Sequence, residues 1–227
     1  MDGQLSQASQ DYLKIIYKLV SQHGRATTSQ IAESMEVKPA SVTNMLQKLA
    51  QIEPPLVKYR KHQGVILTPA GEEAALEMLR HHRLIELFLH EILGYPWDEV
   101  HEEAERLEHV ISEKMERRIA EVLGHPMRDP HGQVIPSHDL ELTVTTEFPL
   151  SELRPPQRAV IRRVHDEDAD LLRHLEQVGL LPQVTLTVLQ HVPFDGNLHI
   201  RLDGQNEPIV LGTQITSQVF VDFVAGS

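Results

Sequence analysis

The stretch TTSQIAESMEVKPASVTNMLQKLAQIEPPLVKYRKHQGVILTP, residues 27–69, decides how the first third of the chain folds. Thr27 or Thr28 suits a helix N-cap, so TTSQIAESM reads as a short helix. Val37-Lys38-Pro39 interrupts it, and Pro39, which has no N–H to leave unpaired, suits the first turn of a second helix. That helix, PASVTNMLQKLAQI, lines Val42, Leu46 and Leu49 along one face and shows Ser41, Asn44 and Lys48 on the other. Helix, tight turn and helix of these lengths form a helix-turn-helix. LVKYR and VILTP follow as two short β-rich runs joined across a turn containing Gly64. A hairpin placed there is a wing.

Outward from this stretch the pattern stays helical before it changes. Upstream, SQDYLKIIYKLVSQ (9–22) puts Leu13, Ile16, Tyr17 and Val20 at helical spacing, with Ser9 as its cap. Downstream, Thr68-Pro69 restarts a helix with Glu72 and Glu73 near its positive end. Residues 72–93 and 98–123 read as two longer helices separated by Gly94-Tyr95-Pro96. HPMRDPHGQVIP (125–136) has no periodicity and marks a boundary. From about 151 a helical stretch, DEDADLLRHLEQVGL, precedes the alternating runs VTLTVLQHV, LHIRL, PIVL and SQVFVDFV, with a hairpin at Asp195-Gly196. The expected fold is mostly α with a C-terminal β barrel. Its domains are a winged helix over 1–71, a helical domain over 72–140 and a small β domain over 150–227.

The net charge of −12 argues against a nucleic-acid partner until its distribution is read. Residues 11–70 hold eight Lys/Arg against four Asp/Glu, whereas residues 72–121 hold six against fourteen. One segment is built to meet phosphates and the next to meet cations. There is no cysteine, so disulfides and thiolate metal sites are excluded, and the 14 histidines are the softest ligands available. No run approaches the roughly 20 apolar residues of a membrane span. With no basic, apolar leader in MDGQLSQASQDY, a cytoplasmic protein is expected.

A helix-turn-helix inserts the N-terminal end of its second helix into the major groove. That end offers Lys38, Pro39, Ala40, Ser41 and Asn44. Asn can contact adenine through two hydrogen bonds, and Ala40 can touch a thymine methyl. Lys48, Arg60, Lys61 and His62 lie toward phosphates. Winged helices also serve as protein-interaction modules, but here the basic charge coincides with recognition helix and wing.

The segment HEEAERLEH places His101, Glu105, Glu108 and His109 at offsets of 0, 4, 7 and 8. At about 100° per residue they share an arc of roughly 100° on one helix. His82 and Glu86 repeat the i, i+4 spacing on the helix before. Apolar neighbours Leu107, Val110 and Ile111, and Leu79, Leu87 and Phe88, put these polar groups at the margin of a packed interface. Carboxylates crowded there repel unless a cation joins them. Enzyme patterns fail: H-x-x-E-H lacks its first histidine, and the Glu-x-x-His of a di-iron bundle is absent. A purely winged-helix regulator, with acidic helices that only dimerise and no metal, is the competing reading.

DYLKIIYKL, IAESMEVKPASVTNMLQKL, LTPAG, HHRLIELFL, VHEEAERLEHVISEKMERRI and HGQVIP resemble the diphtheria-toxin-repressor/manganese-transport-regulator (DtxR/MntR) family. The resemblance is strong over residues 8–136 and weaker beyond. It implies a homodimer that binds palindromic double-stranded DNA when Mn(II) or Fe(II) is present and represses metal-uptake genes. It also implies a helical metal-binding and dimerisation domain, an SH3-like last domain, and two metal sites per subunit. His82, Glu86 and His101 match one site, which Glu167 and Asp170 would complete. Asp11, Glu105, Glu108 and His109 match the other. Asp11 and Glu105 are the oxygen ligands of manganese-type members, whereas Lys14 stands where those members add a Glu.

Overall fold

The protein, described as a computed structural model, is defined over residues 5–60 and 63–224. It divides into two compact units, one made of residues 1–82, 107–112 and 136–141 and the other of the remainder. The segment 72–140 is shared between them.

The first unit carries the winged helix. Helix α1 (Gln7–His23) is capped by Ser6, whose side chain accepts from the Ser9 N–H, one turn before the cap expected at Ser9 itself. Helix α2 (Thr28–Ser34) opens with a capping box, Thr27 and Gln30 each satisfying the other's backbone N–H. Helix α3 (Pro39–Gln51) starts at Pro39. Strands β1 (Val57–Arg60) and β2 (Gly64–Leu67) pair antiparallel, and Ala26 bridges to Val65 to extend the wing. Leu13, Ile16, Ile31, Val42, Leu46 and Leu49 form a core with no solvent exposure. Helix α4 (Pro69–Glu91) leaves this core beside Gly71, where a Cβ would lie 1.9 Å from the Leu56 carbonyl oxygen. Only glycine lets the helix start that close to the wing.

The helix expected over 98–123 is broken. Helix α5 (Val100–Leu107) ends before Glu108, and α6 (Glu113–Val122) begins after Ser112. The N–H groups of Val110 and Ile111 both turn back to the Leu107 carbonyl. Two β-branched residues weaken the helix there. Ser112, followed by Glu113 and Glu116 in a first turn, favours a fresh start. Glu108 and His109 therefore sit in a turn, not on the face of a continuous helix.

In the second unit Leu84, Ile119, Ala120 and Ile135 pack together. A separate core joins Trp97 to a six-stranded antiparallel sheet of order β3-β8-β4-β5-β6-β7. The strands are β3 (Phe148–Pro149), β4 (Arg158–Val164), β5 (Thr185–His191), β6 (Leu198–Leu202), β7 (Ile209–Leu211) and β8 (Val219–Phe223), with α7 (Ala169–Val178) after β4 and the short α8 (Thr213–Thr216) before β8. No β3–β7 pairing closes the ladder among the described residues. A small sheet domain stands where a C-terminal β barrel was expected. β4 escaped the periodicity reading because RAVIRRV slips register between Ile161 and Arg163, so its buried residues do not alternate. Arg163 pairs there with Glu147 and stacks on the Phe220 ring at 3.4 Å. No helix among the described residues is long and apolar enough to cross a membrane.

Candidate metal centres

Helix α3 turns its apolar stripe inward and leaves Lys38, Pro39, Ala40, Ser41, Asn44 and Lys48 exposed. Arg60 is exposed at the end of β1, whereas Lys61 and His62 lie outside the described residues. The surface expected to face DNA is thus the solvated one.

Within the first unit, α1 presents Asp11 and Lys14 three residues apart, on one helical face. Asp11 Oδ1 lies 3.0 Å from His109 Nε2, and His109 Nδ1 donates to the Gln10 side-chain oxygen at 3.0 Å. Asp11, Glu108 and His109 each bring a ligand atom within 4.8 Å of the others'. The Glu108 side chain is fully buried. Its Oε1 accepts from Lys14 Nζ at 2.6 Å and its Oε2 from His82 Nδ1 at 2.5 Å. Burial alone would raise this carboxyl. The hydrogen bond and charge of His82, then those of Lys14, outweigh burial and hold it below the usual range. His82 directs its Nδ1 to Glu108.

Within the second unit, His101 Nδ1 donates to Glu86 Oε1 at 3.0 Å, and its Nε2 lies 3.9 Å from Glu105, one turn along α5. Glu86 also belongs to a set that sequence reasoning missed. Glu86, Asp129, His131 and Asp166 hold ligand atoms all within 4.8 Å of one another. The loop after α6 builds this set. Asp129 Oδ1 accepts from the N–H groups of His131 and Gln133, which folds the loop tightly. Gly132, at φ +85°, brings it against β4 so closely that a Cβ would lie 1.9 Å from the Arg162 carbonyl oxygen. The Val164 N–H then donates to the His131 carbonyl, setting Asp166 nearby at the end of β4.

His131 Nε2 contacts the Trp97 carbonyl at 2.8 Å. A carbonyl only accepts, so Nε2 carries the proton and Nδ1 of the neutral ring keeps its lone pair. Nδ1 is buried 3.9 Å from Glu86 Oε1 and makes no hydrogen bond among the described residues, and the same holds for Asp129 Oδ2. Burial, then the charge of Glu86, push the Asp129 carboxyl well above its ordinary value; Arg83 opposes this and Asp166 adds to it.

Glu167 and Asp170, expected to complete a site, are both exposed, and Asp170 pairs with Arg173. Asp166 is the carboxylate of this segment that reaches Glu86. The loop's lack of periodicity hid Asp129 and His131. The available signal was a histidine two residues from an aspartate inside HPMRDPHGQVIP, a stretch already singled out.

A winged-helix head with an exposed basic recognition helix, in a chain whose helices and loops gather buried imidazoles and carboxylates, defines a metal-dependent DNA-binding regulator. Family models agree: residues 4–65 match the iron-dependent repressor N-terminal DNA-binding domain, residues 68–137 its metal-binding and dimerisation domain, and residues 148–222 the FeoA domain. The chain is 30% identical to the iron-dependent repressor IdeR of Mycobacterium tuberculosis, over 82% of this chain and 85% of that protein. It is 37% identical to the transcriptional regulator MntR of Bacillus pumilus, over 50% of this chain and 77% of that one. A solved manganese-dependent transcriptional repressor in complex with manganese matches with a TM-score of 0.87 at 35% identity, covering 95% of this chain and all of that one. The chain belongs to the DtxR/MntR family of iron- and manganese-dependent repressors.

Proposed function

We propose that the chain is a homodimeric, cytoplasmic repressor that grips a palindromic operator when Mn(II) or Fe(II) fills two sites in each subunit, and that its targets are metal-uptake genes. One observation carries the metal reading. Asp129 Oδ2, 3.9 Å from Arg83 Nε, and His131 Nδ1 are buried with no hydrogen bond among the described residues, within ligand distance of two more carboxylates. Burying such groups without a hydrogen bond is costly, and a dication offsets both that cost and the repulsion between the acids.

In this reading one site takes Glu86, Asp129, His131 and Asp166, with His101 hydrogen-bonded alongside. The other takes Asp11, Glu108 and His109, with His82 joined through Glu108. Carboxylate and imidazole without sulfur suit Mn(II) and Fe(II). The bound ion supplies positive charge and fixed geometry. The chain's part is to hold α1, through Asp11, to the turn that carries Glu108 and His109. Moving a head from 1:99 to 99:1 in the competent orientation needs about 5.5 kcal/mol of differential affinity. Lys38, Ser41 and Asn44 would then read bases, while Lys48, Arg60 and Lys61 meet phosphates.

Electrophoretic mobility shift on a palindromic promoter site tests this, with Mn(II) and then with chelator. The expected result is a shifted band that chelator abolishes. Equal binding in both conditions would favour the metal-independent regulator.

A further inference from the structure

We infer that Lys14 is the resident cation of the site formed by Asp11, Glu108 and His109: its ammonium occupies the Glu108 oxygen that an incoming divalent ion needs, and so sets the concentration at which the ion binds. This rests on the reading of those three residues as ligands.

The geometry is specific to one oxygen. Glu108 Oε2 is taken by His82 Nδ1 at 2.5 Å. Oε1 is the oxygen 3.6 Å from His109 Nε2, and that same nitrogen lies 3.0 Å from Asp11. An ion shared by Asp11, Glu108 and His109 must use Oε1, where Lys14 Nζ stands at 2.6 Å. Two cations on one oxygen of a fully buried carboxylate repel strongly, because little water is present to screen them. The ion therefore replaces the ammonium rather than joining it. Lys14 can yield: its side chain is 14% exposed, and a flexible four-carbon stem lets the charged end swing to water.

The exchange has two consequences. Without metal, α1 is already held to the Glu108 turn by an ion pair, so the carboxylate is kept in place and not repelled. With metal, the measured affinity is net of the bond that Lys14 gives up. A weak or scarce cation then fails to displace it, and the site fills only above a threshold.

Isothermal titration with Mn(II) tests this on wild type, Lys14→Met and Lys14→Arg, beside thermal unfolding in chelator. Lys14→Met should bind Mn(II) at this site about ten- to a hundredfold more tightly, the worth of a charge-assisted hydrogen bond. Its chelated form should melt below wild type, and Lys14→Arg should resemble wild type in both. Unchanged or weaker Mn(II) binding by folded Lys14→Met overturns the inference. A second measurement needs no variant: acylation of the Lys14 amine in wild type, followed by mass spectrometry, should be slow in chelator and faster with Mn(II). Labelling that is equal or slower with Mn(II) also overturns it. Asp11→Asn separates the two ideas. If that change leaves the number of bound ions unaltered, the ligand reading fails; if it removes one ion while Lys14→Met binds no tighter, only the role of Lys14 fails.

Discussion

His131 donates its Nε2 proton to the Trp97 carbonyl at 2.8 Å, and this bond selects the nitrogen that can hold an ion. Metal-bound histidines commonly anchor the other ring nitrogen in this way. Replacing His131 by alanine should remove one Mn(II) per subunit, counted by titration or by electron paramagnetic resonance. Binding at the Asp11 site should persist. Full stoichiometry in His131→Ala would contradict the assignment.

Asp129 gives a prediction in pH. Its carboxyl is raised in the folded state, first by burial and then by Glu86. A raised group contributes stability that is present below the unfolded carboxyl range, around 4, and lost as pH rises through the folded value. At neutral pH the metal-free protein therefore carries a penalty at this position. Metal-free Asp129→Asn should melt higher than wild type at pH 7, with the gap shrinking toward pH 4. Melting curves in chelator across that range check the sign.

Metal should stabilise the whole protein. An ion at 100 times its dissociation constant adds about 2.7 kcal/mol to the folded state. For a chain of this size that is a rise in Tm of roughly 5–11 °C. Differential scanning fluorimetry with and without Mn(II) measures it, and a flat response would argue for a regulator that ignores metal.

On the DNA side, Asn44→Ala should weaken specific binding by about 1–3 kcal/mol, and Lys48→Ala should lower the salt slope by about one. Neither should alter Mn(II) affinity, since both side chains point away from the core of the winged helix. Fluorescence anisotropy at several salt concentrations separates the two effects.

Glu147 offers a test of how the loop after α6 is tied to the sheet. Its nearly buried carboxylate pairs with Arg128 at 2.7 Å and Arg163 at 2.9 Å. Removing it in Glu147→Ala strands two guanidinium groups and should cost about 3–5 kcal/mol. Urea unfolding would show the loss.

The winged helix was legible because each of its signals is local. Thr27, Pro39, Gly64 and Thr68 act on their own turns, and the apolar stripe of α3 repeats at helical spacing. The candidate ligands divided by the same criterion. Asp11, Glu86, His101, Glu108 and His109 lie on or beside periodic segments, and the pattern singles them out. Asp129 and His131 lie in a loop held by one aspartate oxygen and a glycine contact, and nothing periodic announces such a fold. Asp166 was passed over for its neighbours Glu167 and Asp170 because direction at a strand end depends on the last pleat. The break after Leu107 was missed since Val110 and Ile111 keep the apolar spacing of a helix while weakening its backbone.

Gly132 decides how the ligand variants can be interpreted. Its backbone presses on the Arg162 carbonyl with no room for a methyl group, so the loop's path is set by main chain against main chain. Changing His131 therefore removes a candidate ligand while that main-chain contact stays, whereas changing Asp129 also alters the oxygen that gathers the N–H groups of His131 and Gln133. Position 131 is thus the place where the loop could be re-equipped to select another ion.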